Sequence, residues 1–105
     1  MILKGFPASI GLFEGKVKIY SEGKKFDRND ILIASSTSPE MSIEIFEAGA
    51  VLTECGGMLS HASIFCREMG KPCVVGIDGL LDNVSEGMTI RIDGGNGTAE
   101  IISNE

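Results

Sequence analysis

Over residues 11–20 (GLFEGKVKIY), Val17 and Ile19 alternate with Lys16 and Lys18, the period-two pattern of a strand buried on one face. Residues 31–34 (ILIA) replace alternation with an unbroken apolar run of strand length, which predicts an interior strand. A second short buried strand is expected at 50–53 (AVLT). Between them, Ser38 and Pro39 read as N-cap and first helical position, with Glu40 in the first turn. The spacing predicts a short helix through Met41, Ile45 and Phe46 that ends near Gly49.

Gly56-Gly57-Met58-Leu59 then predicts a loop whose sharp turn needs glycines, since a residue without Cβ reaches positive φ freely. Ser60 is a good N-cap for a helix over His61 to Met69; Gly70 supplies a left-handed terminator, and Pro72 forbids continuation. Ala62, Phe65, Cys66 and Met69 recur at helical spacing as an inward stripe. Residues 73–76 (CVVG) read as a further strand. The tail returns to period two: Met88, Ile90 and Ile92 against Thr89 and Arg91, a turn at Asp93–Gly97, then Ala99 and Ile101. About six strands and two helices predict a mixed α/β fold.

The length, 105 residues, leaves room for one domain spanning 1–105. A hydrophobic content of 43% and a charged content of 23% are those of a globular chain. Net charge is −6, and the only basic cluster is Lys24, Lys25 and Arg28, which argues against a nucleic-acid partner. The opening MILKGFPASIGLFEGK has no long apolar run and carries Lys4 and Glu14, so neither a signal peptide nor a membrane span is expected. Cys55, Cys66 and Cys73 form no paired framework, and reduced thiols in a cytoplasmic protein are expected.

The single histidine, His61, sits where the glycine loop feeds the helix, directly after its N-cap. Unbonded backbone N–H groups and the positive helix end converge there, favouring an anion by roughly 0.3–1 kcal/mol when exposed and about 2 kcal/mol when partly buried. That end also disfavours the imidazolium, so a neutral, nucleophilic ring is expected. A neutral imidazole beside an anion cradle suits reversible phosphoryl capture, with Ser60, Ser63 and the amides near Gly57 as oxygen ligands. Thr53, closing the strand before the loop, is a supporting position. A capping or surface histidine would give the same local pattern. A metal site from Cys55, His61, Cys66 and Cys73 has no CxxC or HxxxH spacing, and a Cys55 nucleophile beside His61 lacks a third orienting group; no metal is expected.

Gly56-Gly57-Met58-Leu59-Ser60-His61-Ala62-Ser63-Ile64, followed by Arg67, Gly70, Pro72 and Val74-Val75-Gly76, resembles the phosphohistidine signature of phosphoenolpyruvate-utilising enzymes. That family includes pyruvate phosphate dikinase, phosphoenolpyruvate synthase and enzyme I of the sugar phosphotransferase system. The flanks agree: Gly5, Pro7, Ala8, Ser9, Gly11 and Gly15 resemble its opening segment, Asp30-Ile31-Leu32 with Thr37 and Pro39 its second strand and turn, and Gly87, Asp93-Gly94 and Gly97 its closing hairpin. The resemblance implies a three-layer β/β/α swivelling phosphohistidine domain phosphorylated on Nε2 of His61. It implies as partners an ATP-binding domain or subunit and a phosphoenolpyruvate/pyruvate-binding barrel. It implies no cofactor bound by this domain, with Mg2+ and ATP or phosphoenolpyruvate at the partner sites.

Arg67 matches the family as well, but six residues is about 240° around a helix, which places it on the face of Ser60 and Ile64. Steadying the loop or docking a partner suits it better than touching phosphate. Many dikinases carry a threonine, in some a regulatory phosphorylation site, where this chain has Leu59, so that form of regulation is not expected. There is no nucleotide-binding glycine loop with its lysine, a barrel does not fit in 105 residues, and Glu54 alone near the loop makes no Mg2+ site. The expectation is a phosphoryl carrier that does not turn over alone, with a non-catalytic docking or regulatory module as the alternative. The Met1 start and completed hairpin favour a free-standing carrier over an excised piece.

Overall fold

The unbroken apolar runs become the centre of the structure, a computed structural model that describes residues 1–104. In chain order the strands are β1 (Ile2–Lys4), β2 (Phe6–Ser9), β3 (Leu12–Ile19), β4 (Asp30–Ala34), β5 (Ala50–Thr53), β6 (Cys73–Val75), β7 (Thr89–Asp93) and β8 (Thr98–Ser103). The helices are α1 (Ser42–Glu47), entered through a 3-10 turn at Pro39–Met41, α2 (His61–Met69) and the single turn α3 (Leu80–Asn83). All strands join one sheet in the order β1-β8-β7-β3-β4-β5-β6-β2. The run β3-β4-β5-β6 is parallel, and every other pairing is antiparallel.

Alternate side chains of the parallel strands feed two different cores. Ile31 and Ile33 of β4, Leu52 of β5 and Val74 of β6 pack with Val17, Ile90, Ile92 and Ala99, joining β-strands to β-strands. Leu32, Val51 and Val75, one residue out of phase, pack with Met41 and Ile45 at α1 and with Ala62 and Cys66 of α2. The layers therefore run β/β/α, and an apolar run is required because both faces of β4 and β5 are covered. Full burial of each such Ile, Leu or Val contributes about 1.5–3 kcal/mol. Residues 2–9 supply both ends of the sheet: β1 flanks β8, β2 flanks β6, and between them Gly5 N–H donates to the Gly97 carbonyl at 2.8 Å.

Eight strands replace the expected six or so, and three helices replace two. The additional elements are β1, β2 and α3, each of three or four residues. Such short pieces show no period, and β2 contains Pro7. In the helix stripe, Met69 is exposed while Ser63 is fully buried, because the inward face centres on Ala62, Ser63 and Cys66. Ser38 precedes the 3-10 turn as expected, but its hydroxyl donates to the Glu40 carboxylate (2.7 Å) rather than accepting from the backbone. The α2 boundaries match, with Gly70 left-handed at φ +68°. No helix among the described residues is long and apolar enough to cross a membrane.

Candidate functional site

Strands β4 and β5 run parallel and end side by side, so the loops leaving them are brought together. Backbone bonds join these loops, from Glu54 N–H to the Ala34 carbonyl (3.2 Å) and from Cys55 N–H to the Ser35 carbonyl (2.8 Å). Carboxyl ends of neighbouring parallel strands are where α/β sheets place ligand sites. Thr53, buried at the end of β5, anchors the second loop: its hydroxyl donates to the Cys55 carbonyl (2.7 Å), and its own carbonyl accepts from Ile77 N–H (3.1 Å).

Gly56 turns the chain at φ +129°, and a Cβ there would stand 3.0 Å from Ser60 Oγ. Gly57 is different. Its φ is not positive and a Cβ would meet nothing within 4 Å, so the turn itself demands only the first of the two glycines. What Gly57 contributes is its carbonyl, which accepts from Ser60 Oγ (2.8 Å), Ser63 Oγ (2.6 Å) and Ser60 N–H (3.1 Å). Ser60 caps α2, its Oγ accepting from Ser63 N–H at 3.4 Å. Ser63 faces the core with its hydroxyl proton committed to Gly57, which gives it the position of a loop support.

His61 is the first residue of α2 and half-buried. Its Nδ1 lies 2.9 Å from the Thr37 hydroxyl, on the loop that leaves β4. One turn along the helix, Phe65 stacks on the imidazole with ring centroids 5.7 Å apart and planes 18° from parallel. Nε2 makes no hydrogen bond or ion pair with the described residues. The N–H groups of the first turn have no preceding helical carbonyl to bond and add the positive end of α2. Glu40 lies on the same side: its carboxyl is held below the ordinary carboxylate range, first by the Ser38 hydroxyl, then by its own backbone N–H, with a smaller electrostatic contribution from His61.

Arg67 points away from the imidazole, as its angle on the helix requires. Its guanidinium donates to the Met58 carbonyl (2.7 Å) and the Ala8 carbonyl (3.0 Å), joining the glycine loop to β2. Between those two segments runs an apolar groove of about 690 Å³. The cysteines do not gather at His61: Cys66 and Cys73 are in the core, while Cys55 is exposed with its sulfur 4.0 Å from Ser35 Oγ. Glu54, beside the loop, accepts from Leu81 N–H (3.1 Å) at α3.

Thr37 is the neighbour of His61 that side-chain chemistry alone did not mark. It stands 24 residues before His61, and the usable signal was the adjacency of two parallel strand ends.

Residues 26–97, which hold the loop, His61 and Arg67, match the family described as PEP-utilising enzyme, mobile domain. The chain belongs to that family. Over 100 residues the mobile domain is 41% identical to a protein of Archaeoglobus fulgidus named probable phosphoenolpyruvate synthase; the match covers 92% of this chain and 13% of that protein. It thus spans about an eighth of the relative's length. Among solved structures, an NMR solution structure of Enzyme I is similar with a TM-score of 0.62 and 25% identity, covering 77% of this chain and 32% of that one. Aconitase X of Thermococcus kodakaraensis reaches a TM-score of 0.75, covering 98% and 99% of the two chains; at 18% identity the likeness is one of fold. The mobile domain's β/β/α architecture therefore also occurs outside phosphoenolpyruvate chemistry, and its function has to be argued from the site.

Proposed function

We propose that this domain is a phosphoryl carrier that takes a phosphoryl group on Nε2 of His61 and passes it between active sites of partner domains or subunits. The observation that carries the proposal is the Thr37 hydroxyl at 2.9 Å from Nδ1. For Nε2 to be nucleophilic its lone pair must be free, so the neutral ring holds its proton on Nδ1, where N–H donates to Thr37 Oγ1. The Nε2 lone pair then forms the P–N bond as the bond from phosphorus to the donor oxygen breaks, and the electron pair leaves with the donor. Transfer onward is the reverse, with the acceptor oxygen attacking phosphorus and the electron pair returning to Nε2. The Nδ1 proton stays in place throughout.

Around the ring, the loop amides and the start of α2 supply donors and a positive field for the phosphoryl oxygens. Ser60 and Ser63 shape the loop through the Gly57 carbonyl. Donor and acceptor chemistry is assigned to partners: Mg2+ and ATP in an ATP-binding domain or subunit, and phosphoenolpyruvate or pyruvate in a barrel domain or subunit. The name of the Archaeoglobus relative, probable phosphoenolpyruvate synthase, supports the phosphoenolpyruvate side of that pairing. A cytoplasmic setting suits those reactants. A non-catalytic docking module is the second reading, favoured by the exposed Ile10, Met58 and Leu59 along the groove.

The deciding experiment incubates the chain with phosphoenolpyruvate, or with Mg2+ and ATP, together with partner domains, and measures intact mass. The expected result is one acid-labile, base-stable phosphoryl group on wild type and none on His61→Ala. Equal labelling of both proteins, or of neither, overturns the carrier.

A further inference from the structure

We infer that Arg67 is a positioning residue that fixes the peptide between Met58 and Leu59, so that the N–H groups of Met58 and Leu59, rather than the serine hydroxyls, receive the phosphoryl oxygens on His61. The inference rests on the carrier function proposed above and assigns its oxygen ligands.

The two serine hydroxyls nearest His61 are already engaged. Ser63 Oγ is buried and donates to the Gly57 carbonyl at 2.6 Å, and Ser60 Oγ donates to the same carbonyl at 2.8 Å. Two successive carbonyls of the loop are therefore held in place: that of Gly57 by the two serine hydroxyls, and that of Met58 by the exposed Arg67 guanidinium at 2.7 Å. No peptide bond of the described chain is cis, and in a planar trans peptide the N–H points opposite to the C=O. Pinning the Gly57 carbonyl turns Met58 N–H away from the two serines, and pinning the Met58 carbonyl turns Leu59 N–H away from Arg67, which itself points away from the imidazole. Neither N–H has a partner among the described residues. Two adjacent unpartnered amides just before the N-cap of a nine-residue helix add to its donor end.

Arg67 suits this duty because its fork reaches two acceptors at once. The second, the Ala8 carbonyl at 3.0 Å, belongs to β2, so the loop is referred to the sheet and not only to the helix that bears His61. Lysine retains the charge but offers a compact ammonium in place of the planar fork. Arg67 touches no phosphoryl oxygen in this account; it acts through the peptide it holds.

The test uses the whole chain loaded by phosphoenolpyruvate or ATP through its partner domains, with 15N-labelled protein followed by NMR. On loading of wild type, the amide resonances of Met58 and Leu59 are expected to shift strongly, while that of Gly95, in the β7–β8 turn, stays in place. Arg67→Lys and Arg67→Gln are expected to load about tenfold or more slowly, as loss of a charge-assisted hydrogen bond implies, with the two amide shifts reduced. Unmoved Met58 and Leu59 amides in loaded wild type overturn the inference without any variant. Wild-type loading rates in both Arg67 variants overturn it equally. Failure of wild type to load on His61 is a different outcome and removes the carrier function itself.

Discussion

The Thr37 hydroxyl stands 2.9 Å from Nδ1 of His61, so two residues 24 positions apart share one hydrogen bond at the mouth of α2. With Nδ1–H donating to Thr37 Oγ1, as the proposed carrier function requires, the free lone pair is on Nε2. Thr37→Val removes the partner while keeping the side chain's shape. Loading of His61 is expected to slow about 2- to 12-fold, the kinetic equivalent of a 0.5–1.5 kcal/mol hydrogen bond. Thr37→Ser should restore most of the rate. Unchanged loading in Thr37→Val would show that the tautomer is set elsewhere.

The two loop glycines should respond differently to a methyl group. Gly56→Ala forces a side chain into a φ of +129° and within 3.0 Å of Ser60 Oγ, the N-cap of α2. A loss of about 1–3 kcal/mol is expected, read as a lower denaturant midpoint. Gly57→Ala meets nothing within 4 Å and needs no unusual φ, so its midpoint should stay within about 0.5 kcal/mol of wild type. Equal destabilisation by both would contradict the geometry of the loop.

Glu40 supplies a pH dependence. Its carboxyl lies below the ordinary carboxylate value, chiefly through the Ser38 hydroxyl, so between the folded and unfolded values the unfolded chain binds more protons. The contribution is therefore present above the unfolded carboxylate value, about 4.3, and lost as pH falls through the folded one. Ser38→Ala should be less stable than wild type at pH 7, and the gap should close on acidification. A gap that is constant from pH 7 to pH 3 would mean that the Ser38–Glu40 bond is not what lowers the carboxyl.

Thiol chemistry follows burial. The Cys73 thiol is raised well above the ordinary range, first by its hydrogen bond with Cys66 and then by burial, and Cys66 is itself buried. Cys55 is exposed. Ellman's reagent at pH 8 should therefore titrate one thiol in the native protein and all three in denaturant. A second thiol reacting at the native rate of Cys55 would show that the α2–β6 core opens readily.

Much of this was legible in the residues themselves. Ile31–Ala34 and Ala50–Leu52 are apolar at every position because both faces of β4 and β5 are covered, and nothing in a period-two pattern imitates that. The bounds of α2 followed from Ser60 and Gly70, each of which has a physical duty at a helix end. The edge strands were not legible: Ile2–Lys4 and Phe6–Ser9 are too short for a period, and their pairing with β8 and β6 is a tertiary fact. In the site, His61 and its loop could be found because glycine, N-cap and imidazole stand together in the chain. Ser63 could not be placed, since one residue of helical phase separates an anion ligand from a core hydroxyl, and Thr37 could not because its partner lies across two strands.

The segment that forms β1 and β2 also governs how the protein behaves in company. An unpaired strand border invites pairing with other chains, and long, flat borders are the ones that seed aggregates. Here both borders are drawn from one stretch of eight residues, interrupted at Gly5, with one of them carrying Pro7, which has no N–H to offer a neighbour. Behind them stand the longer β8 and the apolar β6. A lesion that peeled this strip away would uncover two templates at once, so colloidal stability here depends on a single ribbon of backbone.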